Sequence, residues 1–149
     1  LLAIYTIGHS NHPAERFTAL LQRHGIGLLA DVRSAPASRF APQFNRAALD
    51  ARLATAGIAY RWLGRALGGK PRAAEPVFAA GIAELVALAA TTPTAIMCAE
   101  RDPLMCHRTH LVTPALLDRG ATITHILADG TLLAHDALQQ PPKQPDLFR

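Results

Sequence analysis

Apolar residues fall in short blocks along this chain, each closed by glycine, proline or a polar cluster. Leu2 to Ile7 is almost wholly apolar and is stopped by Gly8-His9-Ser10, a pattern that predicts a buried strand. Phe17, Leu20 and Leu21 then recur at helical spacing, with Ser10 or Asn11 as cap, Pro13 in the first turn and Gly25 as the stop. Ile26 to Val32 predicts a second strand ending at Asp31-Val32-Arg33, and the aperiodic, proline-bearing stretch Ser34 to Phe44 predicts a loop. Asn45 is placed to cap a helix that turns Leu49 and Leu53 inward and closes at Gly57. Ile58 to Leu63 is a third strand, followed by the glycine-rich basic loop Gly64 to Arg72. A helix from Pro76 carries Ile82, Leu85, Val86 and Leu88 up to the Thr91-Thr92-Pro93 break.

Thr94 to Cys98 is the fourth strand, and a helix runs from Cys106 or His107 to Asp118, with Gly120 as its end. Thr122 to Leu127 is a fifth strand; the Asp129-Gly130 turn then adds a short antiparallel edge strand over Thr131 to Ala134. Strands alternating with helices imply right-handed βαβ units. The fold class is therefore α/β, a Rossmann-like three-layer α/β/α sandwich on a mostly parallel, roughly five-stranded sheet. One domain spans residues 1–138, and the prolines and polar residues from Gln139 to Arg149 read as an extended tail. At 149 residues there is room for one real core and not for two.

The polar clusters that interrupt the pattern follow the carboxyl ends of different strands, so they converge on one edge of the sheet. Gly8, Arg33, Gly64 and Cys98 are expected together there, where α/β proteins place ligands. The formal net charge is +4, and nearly all the cations are arginine, which favours an anionic ligand. No stretch is long and apolar enough to span a bilayer. The start of the chain lacks a secretory pattern, so a reducing cytoplasm is expected, and with it two unbridged cysteines, at least one facing the pocket.

Ile96 to Arg108 gathers both cysteines, two carboxylates, two arginines and a histidine. Cys98 at a strand end and Cys106 at a helix start are candidate nucleophiles, because nearby arginines favour a thiolate. His9, Asp31 and Glu100 are the acid–base candidates. Arg33, held by Asp31, offers a planar fork suited to bidentate contact with phosphate. With Arg108, His107, Gly8, Ser10 and the glycines Gly64, Gly68 and Gly69, it makes up the expected ligand-binding set, the glycines admitting close approach of backbone amides. The loop is not a Walker loop, since Pro71 follows Lys70. Cys98, Cys106, His107 and His110 are metal-capable types, but no closely paired C-x-x-C ligands are present, so no metal and no other cofactor is expected. His125, within a strand, reads as a structural histidine.

Several of these segments resemble an uncharacterised family, domain of unknown function 488. They are Tyr5 to Ser10, Asp31-Val32-Arg33 with Pro36 and Ser38, Phe44-Asn45, Gly57 to Tyr60, Leu63-Gly64, Leu67-Gly68-Gly69, Cys98-Ala99-Glu100, Asp102-Pro103, Cys106-His107-Arg108 and His125-Ile126. The resemblance, from about Tyr5 to Gly130, implies an α/β domain whose motif residues meet at one pocket, and it implies no activity. A more distant likeness, architectural only, is to rhodanese-type sulfurtransferases, in which a cysteine also ends a strand before a helix. Glu100 and Asp102 would repel an anionic sulfur substrate there. The functional expectation is a pocket for a phosphorylated ligand, a nucleotide or nucleic-acid element foremost. The alternatives are a nucleic-acid-binding module without catalysis and a cysteine-dependent transferase.

Overall fold

The computed structural model describes residues 2–139. Six strands form one sheet in the order β3-β2-β4-β1-β5-β6. They are β1 (Leu2–Gly8), β2 (Leu28–Asp31), β3 (Ala59–Trp62), β4 (Thr94–Cys98), β5 (Ala121–Ile126) and β6 (Leu132–Ala134). The first five are parallel, and β6 pairs antiparallel with β5 across the turn that Asp129-Gly130 predicted. The helices are α1 (Ala14–Arg23), α2 (Arg46–Thr55), the single turn α3 (Gly64–Leu67), α4 (Glu75–Thr91), α5 (Thr113–Leu117) and α6 (His135–Gln139). The α/β sandwich is as expected. The tail expected from Gln139 lies, from residue 140 onward, outside the described residues, and the short helix α6 had no forerunner in the pattern. Among the described residues no helix is long and apolar enough to cross a membrane.

Side-chain alternation along the central strand sorts the core into two layers. Ala95 and Met97 pack with Phe17, Leu21, Leu49 and Leu53 on the α1/α2 face. Ile96 and Cys98 pack with Ile82, Leu85, Val112 and Leu116 on the α4/α5 face. A continuous apolar run such as Thr94–Cys98, buried at every position, is what a strand covered on both faces requires.

Local details depart from the expected caps. Neither Ser10 nor Asn11 caps α1, which starts behind Pro13 without a side-chain bond. Asn45 does occupy the N-cap of α2, but its Oδ1 accepts from the Ser38 N–H and thereby ties down the preceding loop. The helix expected from Cys106 begins as a wide π-turn over Arg108–Val112 before α5, because the Thr113 hydroxyl donates back to the Arg108 carbonyl.

The topology fixes where a ligand can enter. From β1 the chain leaves over one face through α1; from its neighbour β4 it leaves over the other through α5. Strand order reverses between these two, and a crevice opens outside their carboxyl ends. Gly8 and Cys98 stand side by side in register at that point.

Candidate functional site

A cavity of about 320 Å³ sits in this crevice, lined by His9, Arg33, Ser34, Ser38, Cys98, Glu100, Met105, Cys106 and His107 among others. The loops after β1, β2 and β4 build it. Gly8 is obligatory at the first of these, since a Cβ there would overlap the Glu100 carbonyl oxygen. That close approach lets the turn after β1 be stitched to the β4 loop, with His9 N–H on Cys98 O at 2.9 Å and Ser10 N–H on Ala99 O at 3.0 Å.

One wall is a buried ion pair. Arg33 Nε donates to Asp31 Oδ1 at 2.9 Å and Nη2 to Oδ2 at 2.8 Å, with Nη2 also reaching the Phe44 carbonyl at 2.7 Å. Asp31 is fully buried and accepts as well from the Arg33 N–H and from the Tyr60 hydroxyl at 2.6 Å. Burial, then this bond to Asp31, push the Tyr60 hydroxyl well above its usual titration range. The guanidinium fork, expected to grip a phosphate, is therefore spent on Asp31. Nη1 alone is left, 3.4 Å from His9 Nε2. His9 donates from Nδ1 to the Ser10 carbonyl at 2.7 Å and stacks on Phe44. Desolvation pulls its pKa down to about 4, so it stays neutral at pH 7 and presents Nε2 as an acceptor to Arg33.

The floor is different. Arg108 is fully buried, and its guanidinium has no carboxylate partner among the described residues. Nη1 donates to Cys98 Sγ at 2.8 Å and to the Glu100 carbonyl at 2.7 Å, Nε reaches Thr6 Oγ1 at 3.3 Å, and Nη2 is unpartnered. Burial lowers its pKa to about 10, with Asp102 and Glu100 pulling the other way from a distance. Behind it, Thr6 bonds His125 Nδ1 at 2.6 Å and His125 Nε2 meets His135 Nδ1 at 3.0 Å. His125 is thus the structural histidine expected, held neutral by burial with a pKa of about 4.

Cys98 and Cys106 are joined by a disulfide, eight positions apart in sequence. This corrects the expectation of two free thiols. That expectation rests on compartment, whereas the fold supplies proximity. The loop leaving β4 turns back through a 3-10 turn at Pro103–Met105 and returns Cys106 to the face that carries Cys98. Both sulfurs line the cavity. His107 bonds the Val32 carbonyl from Nε2 at 2.9 Å, which makes Nδ1 the acceptor nitrogen, 3.8 Å from Cys106 Sγ. Donor atoms of Cys98, Cys106 and His107 lie within 4.8 Å of one another. The disulfide occupies two of these three, so a metal could enter only after reduction. His110 is outside this group, with its Nε2 on the Leu104 carbonyl.

A profile of the family described as domain of unknown function DUF488 matches residues 13–77 and 71–114. The chain belongs to the DUF488 family. No curated protein and no solved structure matches it. The DUF488 match covers the Asp31–Arg33 wall and the floor of the cavity with Cys98 and Arg108.

Of the residues expected at the site, His9, Arg33, Cys98, Glu100, Cys106 and His107 line the cavity. Gly8, Asp31 and Arg108 stand directly behind it, and Ser10 holds its turn in the left-handed region at φ 48°. The glycines of the basic loop do not line it. A Cβ at Gly64 would overlap the Arg33 carbonyl, and one at Gly68 would meet Ser34 and the Gly64 carbonyl; Gly69 lies against the His107 ring. The close approach these glycines permit is to the protein's own backbone and side chains. Three residues in the resembling segments carry roles the pattern does not assign: Tyr60 on Asp31, Phe44 under His9, and Ser38 on the cavity wall. A half-buried tyrosine hydroxyl beside a buried carboxylate is the signal that could join Tyr60 to Asp31.

Proposed function

We propose that this chain is a thiol-dependent enzyme whose cavity takes a small anionic substrate, a phosphorylated one such as a nucleotide foremost, with Cys98 as the nucleophile. The observation that carries this reading is the fully buried Arg108 guanidinium held 2.8 Å from Cys98 Sγ with no carboxylate among the described residues to balance it. A buried charge without a partner costs several kcal/mol. In the reduced protein a Cys98 thiolate supplies the missing counter-charge, and the same contact makes the sulfur a ready nucleophile at neutral pH.

The substrate's anionic group meets the polar groups of the cavity wall. Arg33 Nη1 faces His9, Ser34 and Ser38 line the wall with Ala99 and Glu100, and the N–H groups of Ala99 and Glu100 have no backbone acceptor among the described residues. Consecutive free amides beyond a strand end suit a phosphate or carboxylate. His9, held neutral by burial, keeps Nε2 as an acceptor for Arg33 and brings no charge to the substrate. Glu100 stands at the open side of the cavity and sets an upper bound on the negative charge a substrate can carry there.

The test is alkylation of the reduced chain by iodoacetamide, alone and with inorganic phosphate, mononucleotides or short oligonucleotides present. Protection of Cys98 by a mononucleotide, lost in Cys98→Ser, supports the reading. Oligonucleotide binding that survives loss of both thiols and falls steeply with salt would instead make the chain a nucleic-acid-binding module.

A further inference from the structure

Two sulfurs share the cavity floor, and they have unlike surroundings. Cys98 Sγ accepts from the Arg108 guanidinium at 2.8 Å, whereas Cys106 Sγ lies 3.8 Å from the acceptor nitrogen of His107 and also receives the Arg108 N–H at 3.4 Å. The first environment stabilises a standing thiolate. The second is a thiol beside a base. Such a division is what a two-step exchange requires, one sulfur to attack and another to displace.

From this we infer a further reaction, resting on the thiolate reading of Cys98: the Cys98–Cys106 pair is a dithiol–disulfide couple that reduces a small disulfide bearing anionic groups. The Cys98 thiolate attacks one sulfur of the substrate R–S–S–R′. The S–S bond breaks, R′–S⁻ leaves, and a mixed disulfide Cys98–S–S–R forms. His107 Nδ1 takes the proton from Cys106, whose sulfur attacks Cys98 Sγ and expels R–S⁻. The Cys98–Cys106 bond that results is the one in the structure. One cysteine thiolate and one cysteine thiol are oxidised to the bridge, the substrate disulfide becomes one thiol and one thiolate, and the proton carried by His107 passes to a departing sulfur. A cavity of about 320 Å³ admits a small molecule rather than a protein loop, and Arg33 Nη1 and the serines on its wall favour an anionic one.

The experiment uses the full chain, reduced and desalted, with dithiobis(nitrobenzoate), a chromogenic anionic aryl disulfide. The expected result is release of two nitrothiobenzoate ions per chain with no label retained, and a mass lower by two hydrogens. Cys106→Ser should release one and hold the other as a mixed disulfide on Cys98. Cys98→Ser should react at least roughly tenfold more slowly, as loss of the arginine-paired thiolate implies. Retention of label on both cysteines of the parent would overturn the couple while leaving Cys98 as a thiolate nucleophile. Equal and slow labelling of both would overturn the couple and the thiolate reading together. The parent's retained label and mass decide the matter even if a serine variant fails to fold.

Discussion

Two buried arginines flank the same cavity, and they are held in opposite ways. Arg33 has its charge cancelled inside the protein, with both Asp31 oxygens on its fork and Tyr60 completing the carboxylate. Arg108, more deeply buried, has carbonyl, hydroxyl and sulfur partners but, among the described residues, no anion, and one nitrogen without a partner. Each has a neutral histidine nearby, His9 for the first and His125, through Thr6, for the second. The contrast separates structure from chemistry. A paired buried cation shapes a wall. An unpaired one calls for negative charge, which the proposed Cys98 thiolate would supply once the bridge is reduced.

The largest effect that could break this contrast lies on the Arg33 side. Asp31→Asn leaves Arg33 buried without its partner and should cost about 3–5 kcal/mol of stability in denaturant unfolding. Arg108→Met removes a charge that had no partner, so its cost should stay below about 2 kcal/mol in the same assay. Equal costs would erase the distinction.

Next in size is an acid effect. His9 and His125 each titrate near 6.5 when unfolded and at about 4 when folded. Between those values the native state binds fewer protons than the unfolded one, so stability falls as pH drops through that window and is fully present above it. Unfolding midpoints measured from pH 7 down to about 4 should show this loss, and His125→Gln should flatten it; a parent profile level down to pH 4 would contradict the buried neutral histidines.

Tyr60→Phe is smaller. Removing a hydrogen bond to a carboxylate should cost about 1.5–3 kcal/mol, with thiol reactivity unchanged. The smallest effect in energy is the most telling in kind: Arg108→Met should slow alkylation of Cys98 roughly tenfold, the loss expected when a neighbouring positive charge is removed from a thiolate. Tyr60→Phe and Arg108→Met thus exchange which property they damage, and a variant that harmed both equally would blur the two sides.

Much of the fold and part of the site are legible in the amino-acid sequence, for physical reasons that differ by residue. The Thr94–Cys98 run fits only a doubly covered strand, and the polar stops after Ile7, Val32 and Cys98 must share an edge once the strands are parallel. The Asp31–Arg33 contact follows from a carboxylate at the end of an apolar strand. What the carboxylate consumes does not follow, because hydrogen-bond capacity is divided among partners distant in sequence such as Phe44 and Tyr60. The glycines of the basic loop mislead for a related reason. Gly64 and Gly68 signal close approach, but composition cannot say to what, and here it is to Arg33 and Ser34. The cysteine bridge escapes a reading that weighs compartment, because loop geometry decides it. Arg108 reads as a ligand-binding cation, while its complete burial depends on the π-turn and on Thr6 and His125 across the sheet.

The central claim is that Arg108 holds Cys98 as a thiolate once the bridge is reduced. The direct measurement is the pH dependence of iodoacetamide alkylation at Cys98 in the reduced chain, followed by mass spectrometry of the labelled peptide. An ordinary thiol gains rate until it is fully ionised, well above about pH 8.5. The prediction is a rate already at its plateau by neutral pH in the parent, and a rate still climbing above about pH 8.5 in Arg108→Met. A parent profile that climbs like that of an ordinary thiol would show that Arg108 is not balanced by the sulfur beside it.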